Sequence, residues 1–263
     1  MNTFTKKCII NISELFNYSG DIPMNSIKRV KTGIPELDKL LHGGYVKNSS
    51  IVVAGGVGTG KTILSLQFLW TGAKKYDEPG LLITMDESPS ELRKEAAMFG
   101  WDLKELEDEN LLAIIDVATP RAGLPSDERY ALREVDLRQI IETVYNTQKE
   151  MNAQRAVIDS LSALGFRYES LGKIRSSIFQ LTAFLNELEI TTLLTTESPN
   201  NSVMSRYGIE EFLAQGVIQL FLKDDETGNL QRSFIVRKMR STPHSLNRYF
   251  FEISEKGIVI LSS

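Results

Sequence analysis

At 263 residues, with 42% hydrophobic and 24% charged residues, the chain has ordinary globular composition and enough length to bury a large core. Its net charge of −4 gives no bulk attraction to nucleic acid or to an anionic membrane, and no apolar run approaches the roughly 18 residues of a spanning helix. A lone cysteine, Cys8, excludes an intrachain disulfide and a Cys-based zinc site, and the distant pair His42 and His244 excludes a His-rich metal cluster. The polar start, residues 1–7, lacks a secretory signal pattern, so a reduced, soluble, cytoplasmic protein is expected.

Residues 1–25 read as an extension without helical period, whose alternating stretch 8–12 fits pairing with a strand edge and a disordered, flexible segment equally well. Residues 26–263 read as one domain. Apolar runs predict strands at 51–54, 81–85, 111–115, 156–158 and 192–195. Between them lie helices with one apolar face: Leu137, Ile140, Ile141 and Val144 fall at i, i+3, i+4 and i+7, and Leu171, Ile174, Ile178, Leu181, Leu185 and Leu188 extend such a stripe over five turns. Strands alternating with helices imply a mainly parallel sheet covered on both faces. Beyond residue 216 the runs 217–222, 233–237, 248–253 and 258–261 are joined by short turns, which predicts an antiparallel C-terminal extension of the same sheet.

The chemistry begins at Gly55. The run Gly55-Gly56-Val57-Gly58-Thr59-Gly60-Lys61-Thr62 follows a predicted strand and opens a helix at Ile63. That is the context in which backbone N–H groups and a helix N-terminus cradle phosphates. Gly56 to Ile63 are therefore the nucleotide-contacting residues, with Lys61 on the β- and γ-phosphates and the Thr62 hydroxyl on Mg²⁺. A second metal-side group is expected at the carboxyl end of a neighbouring buried strand, and Asp159 after Ala156-Val157-Ile158 fits. Met85-Asp86-Glu87 ends another strand; either acid is a candidate base for the attacking water, and both are equally explained as acids before a helix at 90–99. Thr195, Thr196 and Glu197 are placed to sense a γ-phosphate or simply to cap a loop. The absence of an Asn-Lys-x-Asp segment favours ATP over GTP.

At these residues the chain resembles the KaiC family of clock ATPases in the RecA superfamily, over about residues 26–261. The resemblance rests on Lys31-Thr32-Gly33-Ile34-Pro35-Glu36-Leu37-Asp38 with Gly43-Gly44, on Asp86-Glu87-Ser88-Pro89, Phe99-Gly100-Trp101, Ile158-Asp159-Ser160, Thr195-Thr196-Glu197, Arg206-Tyr207-Gly208-Ile209-Glu210-Glu211-Phe212 and Lys238-Met239-Arg240 with His244. It implies a RecA-like core assembled as a ring, usually a hexamer, with ATP at subunit interfaces. Lys238, Met239, Arg240, His244, Ser254 and Glu255 would then lie near the neighbour's nucleotide, Lys238 and Arg240 acting like an arginine finger. Read on their own, Arg237, Lys238 and Arg240 form a basic strand end. The chain departs from the family in three ways. Asp86 stands where the family has Glu, which makes slow hydrolysis an expectation; there is one copy of the domain rather than two; and Glu211-Phe212 replaces a Ser-Thr phosphoacceptor pair, so self-phosphorylation there is not expected.

Two competing readings remain. A DNA-binding ATPase of recombination would use basic loops at 165–173 and 200–207, carrying Arg167, Lys173 and Arg206. A nucleotide-gated scaffold would bind ATP but scarcely turn it over. Neither the sequence motifs nor the charge identify a protein partner.

Overall fold

A computed structural model describes residues 27–200, 203–225 and 227–261. The extension expected over 1–25, with its 8–12 stretch, lies outside these residues. The described chain opens with a short antiparallel ribbon, β1 (Arg29–Val30) with β2 (Tyr45–Val46), enclosing α1 (Pro35–Leu40). Then come β3 (Ser50–Gly55), α2 (Lys61–Tyr76), β4 (Gly80–Thr84), α3 (Pro89–Ala97), α4 (Leu103–Asp108), β5 (Leu112–Asp116) and α5 (Ala118–Arg121). These are followed by β6 (Tyr130–Ala131), α6 (Leu137–Met151), β7 (Arg155–Asp159), a 3₁₀ segment (Leu161–Phe166), α7 (Leu171–Glu187), β8 (Thr191–Glu197) and α8 (Glu210–Leu213). The chain closes on β9 (Gly216–Asp224), β10 (Leu230–Met239), β11 (Arg248–Ser254) and β12 (Gly257–Ile260).

Ten strands form one sheet in the order β12-β11-β10-β9-β3-β8-β7-β4-β5-β6. Pairing is parallel from β9 through β6 and antiparallel from β9 through β12, as the change of texture after residue 216 predicts. β3, β4 and β5 are buried at every position, the consequence of covering both faces of a parallel sheet. Alternate residues serve opposite faces. Ile51, Val53, Leu82, Val157 and Leu193 pack with Leu66, Phe68 and Leu69 of α2. Val52, Ala54, Ile83, Ile158 and Leu194 pack with Ile140 and Val144 of α6 and with Ile174, Ile178, Leu181 and Leu185 of α7. Each such buried aliphatic side chain contributes about 1.5–3 kcal/mol, so both helical stripes are held by the sheet rather than by propensity.

Local signals start the helices. Ser88 and Glu91 form a reciprocal capping box on α3, and the Asp136 side chain accepts from Arg138 N and Gln139 N at the start of α6. Most strand ends move by a residue or two, and two of the shifts have a clear cause. β4 stops at Thr84, so Met85 lies beyond the strand, its amide donating to Asp159 O at 2.7 Å. β10 begins at Leu230 rather than 233, because cross-strand bonding to β9 extends past the apolar run. The two-residue β6 and six-residue α4 carry too little period to read in advance.

Arg155 has no exposed surface. Its guanidinium bonds to Glu78, donates to Lys31 O and Phe68 O, and lies 4.5 Å from the Phe68 ring centroid. A charge removed from water this fully must be paired and hydrogen-bonded; here it ties the β1–α1 segment to the sheet. Among the described residues no helix is long and apolar enough to cross a membrane.

Candidate nucleotide site

β3 delivers its last residue, Gly55, to the carboxyl edge of the sheet, where α2 starts six residues after it. The loop between depends on missing side chains. A Cβ on Gly55 would sit 2.6 Å from Thr59 Oγ1 and 3.1 Å from Leu220 Cβ, and Gly60, the N-cap of α2, has φ +93°. Thr59, only 2% exposed, pins the turn by donating to Gly56 O at 2.8 Å. Lys61 folds over the loop and donates to Gly55 O and Gly56 O, both at 2.9 Å. Burial lowers its pKa, against the opposing pull of Asp159, Glu197, Glu87 and Asp86.

The two residues expected on the metal side meet directly. Thr62 Oγ1 donates to Asp159 Oδ2 at 2.9 Å, and Thr195 Oγ1 donates to Asp159 Oδ1 at 2.6 Å. Asp159 is not on the strand next to β3, as the simplest reading of a neighbouring strand had it. β8 lies between them, and its Thr195 orients the carboxylate. Burial pushes the Asp159 pKa up, and the two threonine hydroxyls and Lys61 oppose the rise. Two oxygens of hard character brought together beside a phosphate cradle suit Mg²⁺. Among the described residues no group of three or more His, Cys, Asp or Glu could hold a metal alone, so the donor set fits a cation that arrives shared with phosphate.

Asp86 and Glu87 differ in their surroundings. Asp86 is bound on both oxygens, with Arg121 Nη2 at 3.2 Å and Ser160 Oγ at 2.6 Å. Glu87 is exposed at the rim, and its main-chain carbonyl is bonded by Thr84 Oγ1. Its carboxyl pKa is pushed up to about 7, first by partial loss of water and then by the like charges of Asp159, Glu95, Glu91 and Asp86. Thr196 turns away from the cleft and donates to buried Glu210 at 2.9 Å, so of the Thr195-Thr196-Glu197 triplet Thr196 serves the fold.

The cleft these residues line has a volume of about 340 Å³ and includes Val57, Gly58, Gly60, Lys61, Thr62, Ile63, Asp86, Glu87 and Asp159. It also takes in residues that sequence reasoning missed: Glu95 on α3, and Arg232 on β10, whose Nε donates to Gly58 O at 2.9 Å. Both come from segments far from the loop, and neither carries a motif. Five carboxylates (Asp86, Glu87, Glu95, Asp159, Glu197) face two cations, Lys61 and Arg232.

Lys238, Met239, Arg240, His244, Ser254 and Glu255 do not line this chain's own cleft. Lys238 Nζ donates to Glu211 O and Ala214 O at 3.1 and 2.6 Å, and Arg240 is exposed beyond the end of β10. His244 Nδ1 lies 3.2 Å from Ser245 O, Ser254 Oγ donates to Gly257 O at 3.0 Å, and Glu255 is exposed. The Met239 side chain is 4% exposed within the core, which leaves only its backbone for any contact across an interface. Of the basic loop residues, Arg206 pairs with Glu197 at 3.7 Å and Arg167 with Asp136 at 3.9 Å.

A mostly parallel sheet with an antiparallel extension, carrying a glycine-built phosphate loop at its carboxyl edge, defines a RecA-like ATPase domain. The family profile described as "ATPase: KaiC" matches residues 30–263. A UPF0273 protein of Thermotoga maritima is 40% identical over 240 residues, 90% of this chain and 97% of that protein. A crystal structure of a KaiC-like protein from Pyrococcus horikoshii superposes with a TM-score of 0.78 at 39% identity, covering 90% of this chain and all of that one. The chain belongs to the KaiC family of ATPases. The circadian clock oscillator protein KaiC of Nostoc sp. is 35% identical over 237 residues, which span 90% of this chain but 44% of that protein.

Proposed function

We propose that this chain binds ATP with Mg²⁺ in the cleft between the Gly55–Lys61 loop and Asp159, and hydrolyses it as one subunit of a homo-oligomeric ring, a hexamer. The observation that carries this reading is the Thr62–Asp159 contact at 2.9 Å beside a loop whose lysine already covers two inward carbonyls. Bound Mg²⁺ would neutralise charge on the β- and γ-phosphate oxygens. Lys61 leaves the Gly55 and Gly56 carbonyls for the phosphates, a short swing for a flexible ammonium. Glu87 accepts the proton of the attacking water, for which a pKa near 7 is suited. Asp86, one methylene shorter than Glu and held by Arg121 and Ser160, orients the base's surroundings and does not reach the water.

The surplus of carboxylates over cations in the cleft supports a site completed from outside. Lys238 and Arg240 of an adjacent subunit would supply positive charge to the γ-phosphate, with His244, Ser254 and Glu255 beside them and the Met239 backbone between. Nucleotide state would then alter ring shape and the binding of an unidentified protein partner, a signalling role. The anchoring of Asp86 also favours low turnover, which brings the scaffold reading close to this one. The test is ATPase rate against protein concentration, with sedimentation of the same samples. Activity per subunit should fall as the assembly dilutes apart; a concentration-independent rate from a dissociated chain refutes the shared site. Mixing Lys61→Ala with Lys238→Ala/Arg240→Ala subunits should restore part of the activity that each lacks alone.

A further inference from the structure

A second cavity, of about 500 Å³, opens where the first turns of α6 and α7 approach one another, and it shares no lining residue with the nucleotide cleft. Leu137 and Arg138 are the first residues of α6 and Lys173 is in the first turn of α7, so the positive ends of two long helices flank it. Three cations line it, Arg138, Arg167 and Lys173, against a single carboxylate, Asp136. That carboxylate is largely engaged: its Oδ1 accepts from Arg138 N and Gln139 N at 2.9 and 3.1 Å, and Arg167 stands 3.9 Å from its Oδ2. The side chains of Arg138 and Lys173 make no ion pair among the described residues. The wall also offers neutral donors. Ser177 is only 6% exposed, lines the cavity and makes no hydrogen bond among the described residues, so its hydroxyl, open to the cavity, is left to serve an occupant. Ser176 and Tyr168 add two more hydroxyls to the same wall.

We propose that this cavity is a binding site for the phosphate monoester of a small molecule, separate from the ATP site. A net charge of about two positive units matches a phosphate dianion. The hydroxyls of Ser176, Ser177 and Tyr168 provide neutral donors for its oxygens, and the volume leaves room for an organic group beyond the phosphate. Phosphodiester backbones are the weaker match, because they offer one charge per phosphate and the rest of this acidic chain repels them.

The test is calorimetric titration of the full-length Lys61→Ala protein with ribose 5-phosphate, using ribose, inorganic phosphate and a dT oligonucleotide as parallel titrants. Lys61→Ala removes the loop's ammonium, and the cavity substitutions assign the remaining phosphate binding to this cavity rather than to the loop. Ribose 5-phosphate should bind at one per chain with Kd at or below about 1 mM, inorganic phosphate should bind at least about threefold more weakly, and ribose should give no heat. Adding Arg138→Ala/Lys173→Ala should weaken binding by at least about tenfold at an unchanged melting temperature, Ser177→Ala should weaken it several-fold, and Lys173→Arg should retain it. No ester binding up to about 10 mM, ester binding that ignores these substitutions, inorganic phosphate binding as tightly as the ester, or a dT oligonucleotide that outcompetes it would each overturn the proposal.

Discussion

Replacing Glu87 with Gln removes the group that the cleft leaves free to take a proton, while keeping its size. Asp86 is the weaker substitute, because Arg121 and Ser160 already engage one lone pair on each of its oxygens. General-base catalysis is worth about 10² to 10⁴ in rate, which is about 3–5 kcal/mol of barrier, so Glu87→Gln should lower kcat by at least about a hundredfold and leave KM for MgATP within a few-fold. Asp86→Asn should cost about tenfold or less. The pKa adds a second signature. With the carboxyl pushed up to about 7, kcat/KM should fall about tenfold per pH unit below that point, and the Gln variant should lose this limb. The same shift affects stability. The folded-state value lies above the ordinary 4.5, so the charged form is disfavoured in the fold; the stability it contributes is present below 4.5 and lost as pH rises through about 7. Full burial would make this about 3 kcal/mol, but Glu87 is exposed, and screening reduces it to about 1 kcal/mol. Glu87→Gln should therefore melt about 2–4 °C above wild type at pH 8, without nucleotide, and level with it at pH 4. Phosphate release across pH 5.5–9 and thermal melts decide the matter. Wild-type kcat in the Gln variant, with an unchanged pH limb, would refute Glu87 as the base.

Three further substitutions probe the scaffold behind that chemistry. Arg155→Ala strips the buried partner from Glu78 and unties the Lys31 and Phe68 carbonyls, and should cost about 3–5 kcal/mol in chemical denaturation; a loss below about 1 kcal/mol would show the guanidinium to be dispensable. Gly55→Ala places a methyl 2.6 Å from Thr59 Oγ1 and should weaken ATP binding by at least about tenfold while the fold survives, read by calorimetry and circular dichroism. Thr62→Ala removes the hydroxyl that meets Asp159 and should raise the Mg²⁺ concentration needed for half-maximal ATP binding about tenfold or more; an unchanged Mg²⁺ requirement would remove Thr62 from the metal's surroundings.

What could be read without coordinates was what local chemistry dictates. The run from Gly55 to Thr62 announces a phosphate loop because only glycines tolerate the approach of Thr59 to Gly55 and the left-handed turn at Gly60. The buried strands 51–54 and 156–158 and the stripes of α6 and α7 are visible because burial imposes a repeat on neighbouring residues. Both signals are complete within a single loop or a single element. The insertion of β8 between β3 and β7, the reach of Arg232 onto Gly58, and the division of labour between Asp86 and Glu87 follow no local pattern. They depend on Thr195, Arg121 and Ser160, residues that lie more than 30 positions from their partners in the chain. Strand order and side-chain electrostatics come from how crossovers close in space and which charges lose their water together, and only the folded chain fixes those.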